Sequence, residues 1–164
     1  GDMSEEFKAY RRSNDAKADP SGRLWFGAVV WDDKHEQGGS LYMYDGKNVR
    51  CMQKETGLAN GMAWSGDKKR FYFSDSAKHK GFVYDYDNAT GDISNMRELC
   101  HISVGVPDGM CIDKEGKLYV AECHLKVSAF SRTKERFCYG QRNIIVASRP
   151  YIAYSPSCST RSSI

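Results

Sequence analysis

The chain has no apolar run near the ~18 residues that cross a bilayer as a helix. It also lacks any long stretch with the sustained 3.6-residue apolar period of an amphipathic helix. The first absence excludes a helical membrane span, and the second points away from a helical fold. A basic stripe is missing too: the formal charge is only +3, with Lys and Arg interspersed among Asp and Glu throughout. The electrostatic footprint of a nucleic-acid binder is therefore absent, and neither a nucleic-acid nor a membrane partner is expected. The six cysteines (Cys51, Cys100, Cys111, Cys123, Cys138, Cys158) form no Cys-x-x-Cys and pair with no histidine at zinc-site spacing. A chain this long can build its core without disulfides, so reduced thiols are expected. The opening Gly1-Asp2-Met3-Ser4-Glu5-Glu6 has neither a basic n-region nor an apolar h-region. It predicts no secretory leader and, with the thiols, a cytoplasmic location. Asn88-Ala89-Thr90 fits a glycosylation sequon but reads, without export, as a polar turn.

What the chain does have is an internal repeat. Gly22-Arg23-Leu24-Trp25-Phe26-Gly27 is echoed by Lys69-Arg70-Phe71-Tyr72-Phe73-Ser74 and by Gly116-Lys117-Leu118-Tyr119-Val120-Ala121. Aligning Leu24, Phe71 and Leu118 gives a period of about 47 residues, within the range of propeller blades. A second echo runs Ser40–Asp45, Phe82–Asp87 and Lys126–Ser131. The segments are short, aromatic or β-branched and roughly alternating, so each reads as a strand. Between them lie turn residues: Asp19-Pro20-Ser21-Gly22, Ser65-Gly66-Asp67, Asn88-Ala89-Thr90-Gly91 and Asp113-Lys114-Glu115-Gly116. The expected fold is all-β. A sandwich would lack the longer period, whereas blades of about four strands around an axis produce it.

Ahead of each first-echo strand lies a segment expected to be the innermost strand of its blade. These segments begin at Asn14, Asn60 and Asp108, one polar residue at the same place in each repeat. Equivalent positions on inner strands converge on the channel of a propeller, so two amides and a carboxylate would meet at its mouth. Such hard oxygens suit Ca²⁺, Mg²⁺ or Mn²⁺, or zinc with additional water. The plainer alternative is that Asn and Asp simply start strands as turn residues.

Four stretches resemble the SMP-30/gluconolactonase/luciferin-regenerating-enzyme-like (regucalcin-like) family. Arg12-Ser13-Asn14-Asp15-Ala16-Lys17-Ala18-Asp19-Pro20-Ser21-Gly22-Arg23 is similar to its R-x-N-D-G-K-x-D-x-x-G-R. Asn60-Gly61-Met62-Ala63-Trp64-Ser65 resembles S-N-G-L-x-W-S, and Tyr84–Asp87 with Thr90–Asn95 resembles F-D-Y-D…T-G-x-I-S-N. Val106–Leu118 is similar to P-D-G-M-C-I-D-x-E-G-K-L. The resemblance covers roughly residues 8–130 and implies a six-bladed β-propeller, present here as an incomplete arc of about three blades. It implies a partial propeller over 1–130 and a divergent tail over 131–164. It further implies a divalent-metal-dependent sugar-lactone hydrolase, or a truncated remnant of one, with Asn60 and Asp108 as metal ligands. Asp108 would also serve in catalysis, while Arg12, Asn14 and Asp32 would contact the lactone. The alternative it carries is a Ca²⁺-binding protein without turnover. A structural module with no site is the third reading.

Three departures from the family pattern shape the expectations. The family's glutamate ligand lies well upstream of its Arg-x-Asn motif, and Glu5 and Glu6 are too close to Asn14 to be it. Weak metal binding follows, since affinity depends on ligand charge and number. Ala16 stands where the family has glycine, which would cost about 1 kcal/mol at positive φ. The repeat also dissolves after about Phe130, and three blades cannot close a ring, so self-association through the open edges is expected.

Overall fold

The computed structural model describes residues 11–30, 38–102, 105–123, 136–137 and 144–148, and every regular element among them is a strand. β1 (Arg11–Ala18), β2 (Leu24–Val30), β3 (Gly39–Tyr44) and β4 (Val49–Thr56) pair in chain order as an antiparallel sheet. β5 (Ala59–Trp64), β6 (Arg70–Asp75), β7 (Lys80–Tyr86) and β8 (Ile93–His101) repeat the arrangement. β9 (Val106–Ile112) and β10 (Leu118–Cys123) start a third sheet the same way. The repeat read from Leu24, Phe71 and Leu118 thus falls on β2, β6 and β10, the second strand of each sheet. The later echo at 126–131 lies outside the described residues.

The third sheet then leaves the pattern. β10 pairs on its far side with β12 (Ile144–Ser148) in parallel, and β11 (Arg136–Phe137) pairs antiparallel with β12. A parallel neighbour cannot be reached by a hairpin and requires a crossover. Both strands come from the 131–164 segment.

Turn chemistry explains the hairpins at the start of the first and third sheets. Asp19 N–H donates to Arg23 O (2.9 Å) and Gly22 N–H to Asp19 O (2.9 Å), with Gly22 at φ 84°. Asp113, Gly116 and Lys117 make the same two bonds at 3.0 and 3.1 Å, with Gly116 also at φ 84°. A left-handed residue is needed to reverse the chain there, and glycine adopts it without Cβ strain. The second sheet places Lys68 at φ 58° for this purpose. Ala16 is not among the residues at positive φ, so the alanine for glycine exchange carries no left-handed strain.

Alternation sends the two faces of each sheet to different neighbours. Trp25, Leu41 and Met43 of the first sheet pack with Met62, Trp64, Phe71, Phe73, Tyr84 and Tyr86 of the second. Trp25 lies 4.8 Å from Phe71 and 5.7 Å from Trp64 between ring centroids. The opposite face of the second sheet, through Ala63, Tyr72 and Ile102, meets Met110, Leu118 and Val120 of the third. Phe71 and Phe73 therefore face one neighbour while Tyr72 faces the other, as the period of two demands. The core is layered between successive sheets, and the first strands β1, β5 and β9 pack side by side. This is the relation of innermost strands in a propeller.

Candidate functional site at the inner strands

The three polar positions read from the repeat share one backbone device. In β1 the pairing jumps from Ser13↔Ala28 to Ala16↔Phe26, so Asn14 and Asp15 stand opposite the single residue Gly27. In β5 it jumps from Ala59↔Asp75 to Met62↔Phe73, leaving Asn60 and Gly61 opposite Ser74. In β9 it jumps from Pro107↔Glu122 to Met110↔Val120, leaving Asp108 and Gly109 opposite Ala121. Each is a two-against-one β-bulge, which bends the strand and re-aims side chains. Asn14, Asn60 and Asp108 therefore lie inside their strands at bulges, and the reading of them as turn residues that merely start strands does not hold.

Small residues let these bulges approach one another. A Cβ built on Gly27 would come within 2.5 Å of Ala59 Cβ and 2.9 Å of Ala59 O. One built on Gly61 would come within 2.5 Å of Asp108 O and 2.6 Å of Met110 Cβ. The Gly61 clash is with backbone, which cannot swing aside as a side chain can. Gly61→Ala is expected to cost about 1–3 kcal/mol by forcing β5 and β9 apart. Urea denaturation followed by tryptophan fluorescence measures this, and an unchanged midpoint would show that the strands are not in such close contact.

Hydrogen bonds then tie the three strands across the sheets. Asn14 Nδ2 donates to Ala59 O at 3.0 Å. Asn60 is buried, and its Nδ2 donates to Ser76 Oγ at 3.1 Å. Ser76 Oγ donates in turn to Pro107 O, and Ser74 Oγ donates to Asp108 O at 3.1 Å. The single proton of Ser76 is committed to Pro107, so its oxygen can only accept from Asn60. That fixes the amide with nitrogen toward Ser76 and leaves Oδ1 as the end able to meet a cation or a donor. Asp75, almost fully buried, holds the approach to β5: its Oδ2 accepts from Gly57 N–H (2.8 Å) and its Oδ1 from Leu58 N–H (3.0 Å). Lys17 Nζ, two residues beyond Asp15, donates to Met110 O at 2.7 Å and so spans from the first sheet to the third.

Asp15 belongs to the site as well. Burial raises its pKa above the ordinary carboxylate value, against the Ala16 N–H bond and the Lys17 charge, and the Asp108 carboxylate raises it further. Two carboxylates close enough to feel each other disfavour both being ionised. The sequence signal for Asp15 is its place in Asn14-Asp15, where the other two bulges carry Gly61 and Gly109. Asp108 is exposed. Arg12 is exposed at the start of β1, with NH1 donating to Ser13 O at 3.2 Å. Asp32 lies outside the described residues.

Asn60 Oδ1, Asp108 and the neighbouring Asp15 offer hard oxygen donors, the type that Ca²⁺, Mg²⁺ and Mn²⁺ take. The set fits such a cation in kind and is small in number: among the described residues no group of three or more His, Cys, Asp or Glu could hold a metal. Water would have to complete the shell.

Residues 2–138 match a family described as the SMP-30/gluconolactonase/LRE-like region. The chain belongs to this family. Regucalcin from Macaca fascicularis is 39% identical over 123 residues, which are 70% of this chain and 40% of that protein. An uncharacterised protein of Sulfolobus acidocaldarius is 37% identical over 118 residues, 71% of this chain and 43% of that one. Among solved structures, a luciferin-regenerating enzyme superposes with TM-score 0.67 at 41% identity, over 73% of this chain and 41% of that chain. A calcium-binding protein, regucalcin from Agrobacterium tumefaciens, superposes with TM-score 0.64 at 26% identity, over 69% and 39% of the two chains. The chain therefore spans about 40% of the length of the relatives it matches. Its sheets are part of an SMP-30-type propeller, an arc whose ring is not closed.

Proposed function

We propose that this arc carries part of the metal and substrate site of a sugar-lactone hydrolase of the gluconolactonase type. The observation that carries the reading is the threefold bulge, which brings Asn14-Asp15, Asn60 and Asp108 onto adjacent inner strands linked by Ser74, Ser76 and Lys17. Asn60 Oδ1 and Asp108 would hold the cation. When bound, a divalent ion supplies Lewis-acid polarisation of the lactone carbonyl and charge to stabilise the oxyanion. Asp108, exposed toward substrate, accepts the proton of the attacking water. Asp15, its pKa already raised, modulates that carboxylate and can share the proton. Arg12 and Asn14 hold the sugar hydroxyls, Arg12 through its charge and Asn14 through the amide oxygen left over from its bond to Ala59.

A second reading, Ca²⁺ binding without turnover, is supported by the small donor set and by the calcium-binding regucalcin among the structural relatives. Hydrolysis of gluconolactone with added Mn²⁺, Zn²⁺ or Ca²⁺, against an EDTA control, separates the two. Turnover that rises with metal and vanishes on chelation is the expected result. Ca²⁺ uptake by calorimetry with no turnover selects the second reading, and neither signal defeats both.

A further inference from the structure

The hydroxyl of Ser76 stands between the two inner strands that carry Asn60 and Asp108. Its backbone is held from both sides: Ser76 N–H donates to Leu58 O (2.9 Å), and Ser76 O accepts from His79 N–H (3.2 Å). The residue is 1% exposed. Its Oγ meets Asn60 Nδ2 at 3.1 Å and donates to the carbonyl of Pro107, the residue before Asp108. A carbonyl only accepts, so the one hydroxyl proton is spent on Pro107 and the oxygen has room only for a donor.

This places a demand on position 60. An amide turned the other way would set Oδ1 against an oxygen with no proton to offer, a mismatch that burial makes costly. A carboxylate there would have no donor at all. It could be satisfied only if Ser76 swung its proton away from Pro107 and released β9 next to Asp108. The repeat shows that the serine answers a local need. Counting from Leu24, Phe71 and Leu118, its counterparts are Val29 and Cys123. In the first sheet the need does not arise, because Asn14 Nδ2 donates to a backbone carbonyl, Ala59 O (3.0 Å), and Val29 suffices.

We propose that Ser76 is a positioning residue for the cation site. Its hydroxyl sets which end of the Asn60 amide is presented to a bound cation, and it makes an amide, not a carboxylate, the side chain that position 60 requires. The inference rests on the cation reading of Asn60 and Asp108 and adds the group that holds both of their strands in place.

Two measurements on the same samples test it, one without metal. In the metal-free wild type, nuclear Overhauser contacts are expected between the Asn60 Nδ2 protons and the β protons of Ser76. Ser76→Ala should lose them, and Ser76→Thr, which keeps the hydroxyl, should retain them. Titration calorimetry with Ca²⁺ or Mn²⁺ alone is then expected to show affinity about 10–100-fold weaker in Ser76→Ala, with recovery in Ser76→Thr. Asn60→Asp should bind Ca²⁺ no more tightly than the wild type, although added charge by itself strengthens a hard-cation site. Circular dichroism reports whether each variant is folded, and the wild type with Asn60→Asp decides if Ser76→Ala is not. Missing amide contacts in the wild type, unchanged affinity in folded Ser76→Ala, or tighter binding by Asn60→Asp would each overturn the proposal. A wild type that shows the contacts but takes up neither ion defeats the cation reading and leaves the orientation by Ser76 standing.

Discussion

Asp19→Ala is expected to lower the stability of the chain by about 3–5 kcal/mol, the cost of stripping one partner from a buried charged network. Total stabilities of domains lie at about 5–15 kcal/mol, so the loss is a large share of the folding margin. The reason lies in what Asp19 satisfies. Its side chain is fully buried, and its two oxygens take bonds from Ser21, Arg23, Trp25 and Tyr86, with the Arg23 ion pair at 2.6 Å. Alanine would leave the indole N–H and the tyrosine hydroxyl buried without an acceptor and the guanidinium without its counter-charge. Burial alone pushes the Asp19 pKa up, but the bonds from Tyr86, Arg23 and Trp25 outweigh it and the net shift is downward. A folded-state pKa below the unfolded value of about 3.8 contributes stability that is fully present above that value. It is withdrawn as pH falls through the lower folded-state pKa. Urea midpoints measured from neutral pH down into the acid range should therefore fall in the wild type and fall less in Asp19→Ala. Equal pH slopes would show that the network is not what stabilises the junction.

On the proposed lactonase reading, Asp108→Ala is expected to lower lactone hydrolysis by about 10²–10⁴-fold, the range for a general base, with little change in the urea midpoint. The separation is expected because Asp108 is exposed and Ser74 bonds its backbone carbonyl, which alanine retains. Asp108→Asn adds a sharper readout. It removes the charge that helps to raise the Asp15 pKa, so that pKa should drop. Asp15 must be ionised to accept a proton, so the acid limb of any residual pH–rate profile should move to lower pH. A limb that stays in place would sever Asp15 from the chemistry, and full activity in Asp108→Ala would sever Asp108.

The architecture was legible because the repeat is written in side chains. Leu24, Phe71 and Leu118 alternate with Trp25, Tyr72 and Tyr119, and Gly22 and Gly116 stand where the hairpins need a left-handed residue. The bulges were not legible, since a bulge is a relation between two strands and appears only when both registers are known. Asp15 is hidden in the repeat for that reason: its counterparts at the other two bulges are Gly61 and Gly109. β12 is illegible on other grounds. Ile144-Ile145-Val146-Ala147 is a continuous apolar run with no period of two, the pattern of a strand with a parallel neighbour, and alternation cannot flag it.

The crossover into β12 sets an order of events during synthesis. The first two sheets are chains of neighbouring hairpins and can form as soon as their own residues leave the ribosome. The third cannot finish until residues 144–148 emerge to lie along β10, having travelled past some twenty residues of intervening sequence. Until then the far edge of β10 offers unpaired backbone groups to any passing strand, which makes this the interval in which a nascent chain most needs protection.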